Sequence, residues 1–379
     1  MKLYAKHALC GGTWQNDLVI TVENRTITAV EKGTDGEIRA DWLSAGLLDK
    51  HQHGGMGFDC TAPESLESCL AWLRLLASHG VTNVLYTLGS GPIEKTRRAV
   101  EFAAEVMARQ QRGDLPGARV MGVHFEGPFI SEKRSGAMNK ACIIPPTVEN
   151  YRALCGGHED IIRAITLAPE VPGALELTRY LTAAGVKVQA GHTNANYQEL
   201  QAGVDTGITG LTHTFNAMPG IQHRDPGPIV CGLLDERLCL EAICDLVHLS
   251  GPILQLLFKV RGRDGVAIIS DSVGTAGLPD GEYFYGNHPV IVKDGRNYTT
   301  TGGIAGGYHQ MDKGIHSLVS LGIPLADALI AGTRTPFRYL GMADRAGDIA
   351  VGHMGCLSAW REDGTCVFGF DGETLFENK

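Results

Sequence analysis

Apolar and polar positions change their period along this chain, and the change divides it. From residue 1 to about 46, short apolar runs such as Asp17-Leu18-Val19-Ile20-Thr21-Val22 and Thr26-Ile27-Thr28-Ala29-Val30 alternate with turns, which predicts short strands. From about 43 to 271 the pattern becomes strand followed by helix, repeated. Leu66, Cys69, Leu70, Leu73, Leu76 and Ala77 recur at helical spacing, Val81 to Tyr86 is the next strand, and a long helix is predicted at about 94 to 112. Further strands are predicted before Glu126, at Ile161 to Leu167, before His192, before His213, at Leu240 to Cys244 and before Asp271. With the run Ala45-Gly46-Leu47-Leu48 this makes eight strands alternating with helices, the count of an α/β protein built as a (β/α)8 TIM-type barrel. After two helical stretches at about 310 to 333, residues 345 to 379 return to short strands. The expected organisation is a barrel over 47–338 beside a small β-sandwich domain that both termini build, 1–46 and 339–379.

Composition narrows the function classes. Thirty-three Lys plus Arg stand against 42 Asp plus Glu, a net charge of −9, which argues against a nucleic-acid partner. A phosphorylated substrate remains compatible, since a few local cations suffice. The ten cysteines show no paired C-x-x-C spacing and sit in apolar segments, as reduced core residues of a cytoplasmic protein would. Met1-Lys2-Leu3-Tyr4-Ala5-Lys6-His7 lacks the apolar core of a signal peptide, and no uncharged run spans a bilayer, so no membrane association is expected.

The chemistry sits where apolar runs stop. His51 and His53, Glu126, His192, His213 and Asp271 each follow a predicted strand. In a closed parallel barrel such strand ends meet at the C-terminal mouth. Each residue also has a structural explanation: a hydrogen-bonded histidine, a buried glutamate needing a cation, an aspartate capping the next segment. Taken together, each on its own strand, they favour one site. Four histidines and two carboxylates suit zinc or a similar divalent ion, and an ion with an open position activates water near neutral pH. His51 and His53, two apart in an extended segment, point the same way, as two ligands of one ion must. These residues predict a metal-dependent hydrolase.

The segments His51-Gln52-His53, His124-Phe125-Glu126-Gly127-Pro128-Phe129, Gly191-His192-Thr193, Thr212-His213-Thr214-Phe215-Asn216-Ala217-Met218 and Ser270-Asp271 resemble the motif series of the N-acetylglucosamine-6-phosphate deacetylases, within the amidohydrolase superfamily. Leu278 to Tyr283 and Thr333 to Gly347 share the resemblance, which runs almost end to end. It implies that Glu126, His192 and His213 hold one ion, and that His51 and His53 make room for a second bridged by Glu126. The ion would be zinc, or iron, manganese or cobalt, one or two per chain. Asp271 matches the general base and acid, taking a proton from the attacking water and delivering it to the leaving amine. Asn216 and Ala217 match positions that contact the sugar phosphate, while Arg224 and His248 match its phosphate-binding cations, one of them across a homodimer interface. Ala137, Met138, Ile304, Ala305, Gly306 and His309 fall at pocket-lining positions.

Three departures mark the pocket. Met138 stands where the family usually has a histidine that polarises the acetyl carbonyl, and a thioether donates no hydrogen bond. Gly307-Tyr308-His309 replaces small polar residues in a substrate-lining loop, with His309 available as a substitute donor, and Leu246-Val247 changes the approach to His248. The expected activity is removal of the N-acetyl group from an amino-sugar phosphate, N-acetylglucosamine 6-phosphate or a close isomer. The alternatives are a deacylase of another N-acyl sugar or amine, and a catalytically weak sugar-phosphate-binding regulator.

Overall fold

The structure is a computed structural model and describes residues 1–285 and 288–378, the side chains of Tyr285 and His288 excepted. Eight parallel strands, Leu47–Gln52, Val81–Gly89, Arg119–Glu126, Ile162–Leu167, Lys187–Ala190, Ile208–Leu211, Cys239–Ile243 and Val266–Ile269, lie side by side in chain order. The Asp271 N–H donates to the His51 carbonyl (3.0 Å) and the Ser270 hydroxyl to the Asp49 carboxylate, which joins the eighth strand to the first and closes the ring. All six residues of Leu47–Gln52 and all four of Val266–Ile269 are buried, because helices cover the outside and side chains fill the inside. Burial on both faces is why these strands read as unbroken apolar runs. The helix Leu66–Ser78 starts where the Ser65 hydroxyl accepts from the Ser68 N–H, and buries Cys69, Trp72, Leu73, Leu76 and Ala77. The predicted long helix is Ile93–Gln111.

Both termini contribute to one seven-stranded sheet. Lys2–Cys10, Thr13–Glu23, Thr26–Lys32 and Ile38–Ala45 join Leu357–Trp360, Cys366–Phe370 and Leu375–Glu377. Backbone bonds from Ile27 to His353, Gly352 to Ile27 and Gly355 to Arg25 curl the sheet back on itself. Leu3, Ile20, Ile27, Leu43, Leu357 and Phe370 fill the space enclosed, giving the small sandwich expected from the terminal strands. Only Gly46 separates Ile38–Ala45 from the first barrel strand; a Cβ there would lie 1.8 Å from Thr82 Oγ1, so the chain passes only without a side chain.

One element was not anticipated. After the eighth barrel strand the chain forms an antiparallel meander, Gly281–Tyr285, His288–Lys293 and Arg296–Thr299. It carries the loop that follows: the Ala305 N–H donates to Asn297 (3.0 Å) and the Gly307 N–H to the Asp271 carbonyl (2.7 Å). Asn297 Nδ2 donates to the Gly307 carbonyl at 3.0 Å. The loop is thereby pinned at the barrel mouth. Among the described residues no helix is long and apolar enough to cross a membrane.

Candidate metal centre and active site

The strand ends deliver their side chains to one point. His51 and His53 bring their Nε2 atoms within 3.2 Å of each other. Glu126 Oε1 lies 3.4 Å from His51 Nε2, 3.1 Å from His192 Nε2 and 2.9 Å from His213 Nε2, while its Oε2 lies 3.1 Å from His53 Nε2. Asp271 Oδ1 stands 3.3 Å from both His51 and His53 Nε2. Two groups able to hold a metal result, His51, His53, Glu126 and Asp271 on one side and Glu126, His192 and His213 on the other, all buried. The structure thus brings together all six residues expected from the strand ends, with Glu126 common to both groups.

Backbone conformation aims them. His192, His213 and Asp271 have φ of 46°, 27° and 50°, a left-handed region that L residues rarely adopt. Each such residue costs roughly 1–3 kcal/mol and persists only where its surroundings hold it. At His213 the backbone N–H is held by the Glu241 carboxylate (3.1 Å), and at Asp271 both N–H and carbonyl are bonded, to His51 and Gly307. Gly127, φ 83°, ends the third strand immediately after Glu126, where a Cβ would meet Ser90 Oγ at 2.4 Å.

The electrostatics ask for a cation. Burial alone would depress His51, but Glu126, Asp271 and Glu241 outweigh it and hold the imidazole well above its usual range. Burial is likewise outweighed at His53 by Asp271 and Glu126, which push it up to about 9. Burial would raise Glu126, yet His51, His192 and His213 keep it well below the ordinary carboxylate range. Asp271 is also lowered, burial being overcome chiefly by His51 and His53. Imidazole nitrogens meet at 3.2 Å and 3.1 Å with the Glu126 and Asp271 carboxylates beside them, a convergence of donors that positive charge would stabilise. A divalent ion fits this set of nitrogen and oxygen donors. His192 Nδ1 donates to the Arg134 carbonyl (2.8 Å), leaving Nε2 to face Glu126.

A cavity of about 290 Å³ opens above the cluster, and Ala137, Met138, Asn216, Ala217, His248, Ile304, Ala305 and Gly306 line it, as expected. Met138 Sδ receives the Ser90 hydroxyl at 3.1 Å. Burial would lower His248, but the hydrogen bond and charge of Asp245, 2.7 Å from Nδ1, raise it and favour the imidazolium. Two expected residues are elsewhere. Arg224 is exposed on the loop after the sixth strand and does not reach its own chain's cavity. His309 does not line it either. Gly307 is pinned against Asp271, and His309 is exposed, its ring 4.0 Å from that of Tyr308 at a 45° tilt, with both residues bordering a separate small cavity. It therefore cannot replace the donor missing at Met138. Sequence reasoning passed over Glu241 and Lys50, although a charged residue inside an apolar barrel strand was signal enough. It also passed over Asp245, three residues before His248.

A barrel whose mouth gathers this cluster defines a hydrolase of the amidohydrolase class. Residues 42–371 match the amidohydrolase family, and the chain belongs to it, within the branch of the N-acetylglucosamine-6-phosphate deacetylases. The enzyme of that name from Vibrio furnissii is 33% identical over 368 residues, covering 95% of this chain and 90% of that one. The N-acetylgalactosamine-6-phosphate deacetylase of Escherichia coli O157:H7 is 32% identical over 362 residues, 94% of each. A mutant N-acetyl-D-glucosamine-6-phosphate deacetylase from Mycobacterium smegmatis, solved in complex with N-acetyl-D-glucosamine-6-phosphate, superposes with a TM-score of 0.90. It is 28% identical, over 100% of this chain and 99% of that one.

Proposed function

We propose that this chain removes the acetyl group from an N-acetylated hexosamine 6-phosphate, N-acetylglucosamine 6-phosphate or its galacto isomer, releasing acetate and the amino-sugar phosphate. The observation that carries the reading is Asp271 poised beside a Glu126-centred histidine cluster in the same cavity as Asn216 and His248. His51, His53, Glu126 and Asp271 would hold one divalent ion and Glu126, His192 and His213 a second, zinc suiting the histidine-rich set best, with iron, manganese and cobalt as alternatives. Such an ion supplies polarisation of the amide carbonyl and a lowered pKa for water. Asp271 takes the proton of the attacking water on its carboxylate and returns it to the departing amine nitrogen. Asn216 and Ala217 orient the sugar, His248 offers a cation to the phosphate, and the 304–306 loop excludes water from the reacting amide. Arg224, out of reach in its own chain, serves the cavity of a second copy, so the working form is a homodimer. All ten cysteines are free thiols, which supports a reducing, cytoplasmic setting.

An acetate-release assay on both N-acetylhexosamine 6-phosphates and their dephosphorylated forms tests this. Release from at least one phosphorylated sugar is expected; release from none would refute the reading. Met138 offers no donor to the carbonyl oxygen, so N-acetylglucosamine 6-phosphate should turn over slowly and Met138→His should accelerate it, by up to ~10²–10³-fold if the new imidazole serves as an oxyanion donor. Fast wild-type turnover unaffected by this change would show that the methionine costs nothing. Replacing His51 and His53 by Gln and Asn should lower bound metal from two ions towards one while leaving the fold intact. Elemental analysis showing unchanged metal content would remove the pair from the ligand set.

A further inference from the structure

Glu241 lies in neither group of candidate metal ligands, yet it touches both. It stands on the seventh strand, Cys239–Ile243, with no solvent exposure. Its Oε2 faces His51 Nδ1 at 3.0 Å and accepts the backbone N–H of His213 at 3.1 Å. Its Oε1 takes the ammonium of Lys50, also buried, which Gln189 binds from the other side and which lies 4.4 Å from the Tyr339 ring centroid. One carboxylate therefore holds the side chain of one group's histidine and the backbone of the other's. The Lys50 charge supports it where water cannot.

We infer that Glu241 is a positioning residue for metal binding, with Lys50 as its counter-charge; this rests on the metal reading above. By accepting the Nδ1 proton of His51 it selects the tautomer whose Nε2 lone pair points at Glu126 and Asp271. A carboxylate in that place also makes Nε2 a stronger donor than an amide would. The bond to the His213 N–H holds a residue at φ 27° in the turn that aims its imidazole at Glu126. A single buried group thus sets the geometry on both sides of the shared glutamate.

The competing explanation is a core ion pair of structural value only, and the two separate by experiment. Glu241→Gln alone strands the Lys50 charge and should lower the Tm. Glu241→Gln combined with Lys50→Met removes both charges and should recover Tm. Glu241→Asp keeps the counter-charge for Lys50 but withdraws the carboxylate from His51 and His213. Each purified protein, stripped and titrated with zinc against a chelator, reports affinity for each ion separately from stability. Both the double variant and Glu241→Asp should bind at least one ion ~10–100-fold more weakly than wild type. Wild-type affinity for both ions in either folded variant would overturn the inference and leave Glu241 as the partner of Lys50 alone. A wild-type protein that binds no divalent ion would instead refute the metal reading beneath it.

Discussion

Asp271→Asn should lower turnover by ~10²–10⁴-fold while leaving substrate affinity nearly unchanged. The amide has the shape of the carboxylate and can occupy the same place, 3.3 Å from His51 and His53, but it neither accepts a proton from water nor carries one to a leaving amine. The left-handed backbone at residue 271 is secured by bonds to His51 and Gly307 that involve only main-chain atoms, so the substitution should not disturb the turn. The measurement is kcat and KM on protein whose metal content has been brought to the wild-type level. Near-normal kcat in such a sample would place the general base elsewhere.

Arg224→Ala should weaken productive recognition of the phosphorylated sugar by roughly 2–5 kcal/mol, as expected when a desolvated charge pair loses one partner. The dephosphorylated sugar should show no such loss, and the contrast between the two substrates is the readout. On the proposed homodimer, in which Arg224 serves the partner's cavity and not its own, the effect should also act in trans. Mixing Arg224→Ala chains with Asp271→Asn chains should restore part of the activity, since a hybrid dimer has one cavity with an intact base and an intact partner arginine. Equal losses on both sugars, with no restoration on mixing, would assign Arg224 to structure.

His124 shows why residue type was not enough to read the site. It is a histidine on a barrel strand two residues before Glu126, yet its Nε2 bonds Thr166 Oγ1 at 2.9 Å and burial, with the nearby His51, keeps it neutral. Position at the strand's end, not composition, separated the ligand candidates from it. His309 shows the opposite failure. Its loop lines the cavity as expected, but only Ile304, Ala305 and Gly306 face it; Tyr308 and His309 lie ring to ring, 4.0 Å apart, and border a separate small cavity instead. The meander formed by Gly281–Tyr285, His288–Lys293 and Arg296–Thr299 escaped notice because its strands are short and largely half exposed, with Val290-Ile291-Val292 its one continuous aliphatic run.

By itself the sequence determined the eight-strand alternation and the six residues that follow the barrel's apolar runs. The first is local, since burial on both faces forces apolar runs. The second follows because any polar group at the end of a buried parallel strand emerges at the same rim. Only the tertiary structure decided that Glu126 stands between two histidine groups, that Glu241 and Lys50 reach them from below, and that Arg224 stays outside its own cavity. Those outcomes depend on distances between residues far apart in the chain, which are set when the eighth strand closes onto the first.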